Sequence, residues 1–127
     1  MPFITTLYAG LLGLILIGVA FPAGFQRGRK NIPVGDGGDP AMLLAMRRHA
    51  NFAEWVPFTL LLIALLELDH VRSEVIHALG AALVVGRVCH AFGLKADTMK
   101  NPLRFIGAIL QVLVAGTAAV WAIAIAL

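Results

Sequence analysis

Apolar and polar positions along this chain of 127 residues fall into long blocks, not into the short periods of a soluble helix or strand. Four apolar runs cover about residues 3–22, 41–67, 74–94 and 103–127. Each reaches the ~20 residues that a helix needs to cross the hydrocarbon of a bilayer. Backbone groups cannot be left unpaired in lipid, so each run is expected as a helix. None alternates residue by residue, which argues against a transmembrane β-barrel. The pattern predicts an all-α membrane protein: one domain over residues 1–127, an antiparallel bundle of four transmembrane helices, with its longest polar link at 23–40.

Composition agrees. Hydrophobic residues make up 60% and charged residues 13%, and the mean hydropathy is +0.89. So few charges cannot cover the surface of a small water-soluble globule, which excludes a soluble enzyme and a disordered chain. A single cysteine, Cys89, leaves no intrachain disulfide. The net charge of +3 reads as basic loops on one membrane face and not as a nucleic-acid footprint.

The loop charges give an orientation. Arg27, Arg29 and Lys30 follow the first run, and Lys95, Lys100 and Arg104 surround the third link, whereas the second link holds only Arg72 beside Glu67, Asp69 and Glu74. The positive-inside rule then places the first and third links in the cytoplasm, with both termini outside. Because the basic residues follow the first run, that run reads as an anchor and not as a cleavable leader. The glycine-rich stretch GFQRGRKNIPVGDGGDP lacks the ending of a phosphate-binding loop and reads as a turn, with Asp39-Pro40 starting helix 2 and Asn101-Pro102 starting helix 4.

Polar residues inside the apolar runs carry the chemistry. In RRHANFAEWVP, residues Arg47, Asn51 and Glu54 are spaced i, i+4, i+7 and share one helix face. Arg48 and His49 point elsewhere. A charge near the bilayer centre costs roughly 2.5–3.5 kcal/mol, so this face must turn to other helices or to a polar crevice. Helix 3 carries Gly86, Arg87 and His90 near its basic-loop end, and antiparallel neighbours bring both sets to one depth. Arg47, Asn51, Glu54, Arg87 and His90 are therefore expected to converge in one pocket. Two arginines, a carboxylate, an amide and an imidazole suit a small amphoteric anion: guanidinium forks for carboxylates, Glu54 for an ammonium, and Arg87 or His90 beside a developing anion. The alternative is an Arg47–Glu54 ion pair that serves packing alone. His77 is read as snorkelling at the opposite end, Gln111 as an interhelical hydrogen-bonding group, and no residues have metal-ligand spacing. Glycines at 10, 13 and 18 on helix 1 and at 107 and 116 on helix 4 allow close backbone approach. So thin a bundle has little interior, and a lipid-excluding pocket is easier to build between subunits, which predicts a homo-oligomer.

Two stretches carry a family likeness: Arg47-Arg48-His49-Ala50-Asn51-Phe52-Ala53-Glu54 followed by Pro57, and Gly86-Arg87-Val88-Cys89-His90. The first fits an R-x-x-x-N-x-x-E signature opening a second helix, and together they resemble the membrane-associated proteins in eicosanoid and glutathione metabolism, MAPEG. The tail HAFG of helix 3 with LRFIG opening helix 4 is similar to the small bacterial branch. The resemblance implies a homotrimer in a bacterial inner membrane, with glutathione as co-substrate bound between subunits by Arg47, Asn51, Glu54 and Arg87. It implies thiolate attack on lipophilic electrophiles or peroxides, with Arg104 or His90 stabilising the thiolate and the site toward the cytoplasm. Well-studied members carry tyrosines on the third helix near the thiol; this chain has His90, Phe92 and Leu94 there. A glutathione-dependent transferase or peroxidase is thus the leading expectation, with a non-enzymatic membrane scaffold, a partner-binding subunit or a small transporter as alternatives.

Overall fold

A computed structural model describes residues 1–127. It contains four helices and no strand: α1 Phe3–Lys30, α2 Pro40–Leu68, α3 Ser73–Gly93 and α4 Pro102–Ala126. All four are long and apolar enough to cross a membrane. The helix starts follow local chemistry. Asp39 accepts from the Met42 N–H at 2.9 Å, ahead of Pro40 at the first helical position. Asn101 accepts from Leu103 N at 3.0 Å and Arg104 N at 3.4 Å, ahead of Pro102. Such caps satisfy amides that have no partner within the helix.

The first link is shorter than expected. Helix α1 continues through the polar residues beyond position 22 and ends at Lys30, leaving 31–39 as the loop. Polarity marks where lipid ends, not where a helix ends. Phe21 stacks on Phe25 and Arg29 lies over the Phe25 ring, all at i, i+4 spacing. Arg27, Arg29 and Lys30 also favour the negative end of the helix dipole. Asn31, in the left-handed region at φ 52°, stops the helix.

Helices α2 and α3 occupy the middle of the bundle, α1 and α4 lie on opposite sides, and these two do not meet. A core of Leu12, Phe52, Val56, Ile63, Leu66, Ile76, Leu83 and Val114 draws on all four helices. Only 24 of 127 residues are buried, and Leu14, Ile17, Phe21, Phe58 and Ile123 point outward. Apolar side chains on the outside are the arrangement that a bilayer demands.

Close approach is concentrated on the α3–α4 seam. A Cβ on Gly107 would meet His90 N at 2.6 Å and Gly86 O at 2.7 Å, and one on Gly93 would meet Arg104 N at 2.1 Å. By contrast Gly10, Gly13, Gly18 and Gly116 face open space, so the small residues of α1 do not mediate packing within the chain. At the other end of the bundle the Tyr8 hydroxyl lies 3.1 Å from His77 Nδ1. His77, exposed near the start of α3, has this partner because Gly80, one turn on, leaves room for the Tyr8 ring.

Candidate functional site

The basic-loop end of the bundle holds a crevice of about 370 Å³, within the roughly 300–1,000 Å³ usual for ligand sites. Helix α2 contributes Arg47 and Asn51, α3 contributes His90, the following link Lys95, and α4 Arg104. Three permanent cations line it with no carboxylate among its residues. The charge of the lining therefore favours an anion over a cation.

Arg87 stands behind this lining and is 3% exposed. Its Nη1 donates to Asn51 Oδ1 at 2.8 Å and its Nη2 to Gly107 O at 3.3 Å, while its Nε–H has no partner. With its oxygen engaged by Arg87, the Asn51 amide has only its NH₂ free to donate elsewhere. Arg87, expected as a direct ligand, is absent from the crevice lining and touches that lining through Asn51. Its guanidinium reaches Asn51 and the α4 backbone because Gly107 lets α4 approach α3 closely.

Glu54 does not reach the crevice. It is exposed on α2 and lines a separate hollow with Trp55, Phe58 and Thr59. Residues seven apart share a face, but at ~1.5 Å per residue they lie about 10 Å apart along the axis. Arg47, Asn51 and Glu54 share a face by spacing, but the axial rise puts Glu54 below the pocket, and its side chain is exposed where the cost of a charge in lipid predicts an inward face. Arg47 and Glu54 form no ion pair; the salt bridges of the chain are Lys30–Asp39 and Arg72–Glu74.

Three contacts were not anticipated from the sequence. Lys95, a basic charge of the third link, joins the crevice because α3 ends at Gly93. Arg48, on another face of α2, donates to Leu94 O from Nε at 3.2 Å and Nη2 at 2.7 Å, holding the chain just past α3. Glu67 accepts from Ile4 N at 2.8 Å, Thr5 N at 2.7 Å and the Thr5 hydroxyl at 2.6 Å, so a residue near the end of α2 caps the start of α1. The apolar run ending in Glu67 signalled only a helix end. Gln111 does make its interhelical bond, donating from Nε2 to Thr59 Oγ1 at 3.1 Å.

Comparison with known proteins agrees with this architecture. The inner membrane protein YecN of Escherichia coli, in strains K12 and O6:H1, is 30% identical over 90 residues, which span 71% of this chain and 69% of that protein. No solved structure matches. The profile of the MAPEG family matches residues 5–124, a range that holds all five of the crevice residues just described. This integral membrane chain therefore belongs to the MAPEG family.

Proposed function

We propose that the chain binds glutathione or a closely similar thiol and acts as a glutathione-dependent transferase or peroxidase on lipophilic electrophiles. The observation that carries this reading is the crevice itself: Arg47, Lys95 and Arg104 around the Asn51 amide and His90, with no carboxylate in the lining. Glutathione brings two carboxylates and a thiol. Arginine forks suit the carboxylates, and the Asn51 NH₂ suits a peptide carbonyl. Arg104 supplies the positive field that favours a thiolate over a thiol, and a His90 ring N–H can donate a hydrogen bond to it. Family membership supports the same class of chemistry.

Glu54 supports assembly. A carboxylate exposed on a membrane-spanning helix costs roughly 2.5–3.5 kcal/mol near the bilayer centre. A second copy packed over that face removes the cost and brings a further ammonium-binding group to the site. A homotrimer with the thiol held between subunits, in the bacterial inner membrane with the crevice toward the cytoplasm, is the assembly proposed. The packing-only alternative rested on an Arg47–Glu54 pair, and these residues do not pair.

The test is titration of the detergent-solubilised protein with glutathione by calorimetry, alongside Arg47→Ala and Arg104→Ala. Each variant should bind at least about tenfold more weakly, the loss of one charge-assisted contact. Indistinguishable binding by all three, or no binding by the wild type, overturns the reading.

A further inference from the structure

A second crevice, of about 420 Å³, opens on the outer surface between α1, α2 and α3. Most of its lining is apolar, including Ile15 and Val19 of α1, Ala45 of α2 and Val88 of α3. Its polar residues are Gln26 and Arg48, and it holds no carboxylate. Arg48 uses Nε and Nη2 on Leu94 O, leaving Nη1 without a protein partner, and it takes part in no salt bridge. Phe92 and Val88 at the crevice are exposed, so in a membrane-spanning bundle its open side faces acyl chains.

A slot with an uncompensated cation and otherwise apolar lining matches a molecule with an anionic head and a hydrocarbon tail. The geometry points to a binding site for an anionic phospholipid of the surrounding bilayer, its phosphate on Arg48 Nη1 and one acyl chain along Ile15, Val19 and Val88. Basic pockets between transmembrane helices recognise such headgroups, and guanidinium matches the phosphate geometry. The bilayer supplies this ligand at high local concentration, which favours it over a free fatty acid. The site does not rest on the thiol reading: Arg48 is not in the lining of the Arg47 crevice and reaches it through the Leu94 carbonyl, and Leu44 forms part of the wall between the two crevices.

The experiment is native mass spectrometry of the full-length protein released from nanodiscs of equal phosphatidylglycerol and phosphatidylcholine. The wild type should retain one phosphatidylglycerol per chain in preference to phosphatidylcholine. Arg48→Gln should reduce that retention at least about tenfold, as expected for loss of a charged hydrogen-bond partner. Because Arg48 also holds Leu94, the second variant is Gly18→Leu, which fills the crevice from α1; a Cβ there meets nothing within 4 Å. Gly18→Leu should keep wild-type helicity and melting temperature and lose the lipid. Equal retention by all three proteins, no retained lipid in the wild type, or displacement of phosphatidylglycerol by oleate at equal concentration overturns the proposal.

Discussion

Arg87 Nη1 and Asn51 Oδ1 lie 2.8 Å apart, joining α3 to α2 directly behind the cationic crevice. The bond fixes which end of the Asn51 amide is left for a ligand. Asn51→Asp keeps the acceptor for Arg87, removes the donor and adds a negative charge. Its melting temperature should match or exceed the wild type, while glutathione affinity should fall at least about tenfold, the loss of one hydrogen bond plus repulsion. Unchanged affinity by calorimetry would show that the amide does not face the ligand.

Gly107 is where α4 meets α3. Gly107→Ala places a methyl 2.6 Å from His90 N and 2.7 Å from Gly86 O, neither of which is a flexible side-chain end. Overpacking of this kind costs about 1–3 kcal/mol. Gly116→Ala, on the same helix with nothing within 4 Å, is the control. Thermal melts in detergent should show a lower midpoint for the first variant only.

Removal of the Glu67 side chain tests the cap on α1. Glu67→Ala takes the acceptor from Ile4 N, Thr5 N and the Thr5 hydroxyl. Losing a helix cap costs about 0.5–2 kcal/mol. Hydrogen exchange should quicken in the first turn of α1, around Ile4 and Thr5, and stay unchanged in α4. Uniform acceleration along the chain would mean that Glu67 serves global packing instead.

Asp39 gives the loop a pH dependence. Its hydrogen bond to Lys30, then that from Met42 N, holds its carboxyl below the ordinary value of 3.8. A carboxyl depressed in the folded state stabilises above its unfolded pKa and loses that contribution as pH falls through the lower, folded value. The start of α2 should therefore stay capped down to pH 3.8 and loosen only below it. In Lys30→Met the Asp39 carboxyl titration, followed by NMR, should move up toward the ordinary value; a midpoint unmoved by this substitution would rule out the Lys30 contact.

Much of the fold is written locally. Run length against bilayer thickness determines four helices, Asp39-Pro40 and Asn101-Pro102 mark two of the starts, and i, i+4, i+7 spacing puts Arg47, Asn51 and Glu54 on one face. The end of α1 was not legible, because the change from apolar to polar residues after position 22 reports the edge of the lipid and not the end of hydrogen bonding. Of the candidate site, Arg47, Asn51 and His90 were legible from spacing and topology and Arg104 from the family likeness, and these four line one crevice.

Other outcomes depended on contacts between residues far apart in the chain. Depth along α2 separates Glu54 from the crevice, although its face is shared with Arg47. Gly107 brings α4 so close that Arg87 is buried behind Asn51, not presented to solvent. Glu67 finds its donors 62 and 63 residues earlier, and Arg48 finds the Leu94 carbonyl 46 residues later. A helical repeat sets the angle of a side chain and the cost of placing it in lipid, so the sequence alone determined the spans, their polar faces and the basic end of the bundle. Which helices touch, and at what height their residues meet, follows from how closely the backbones approach, and only the tertiary structure decided that.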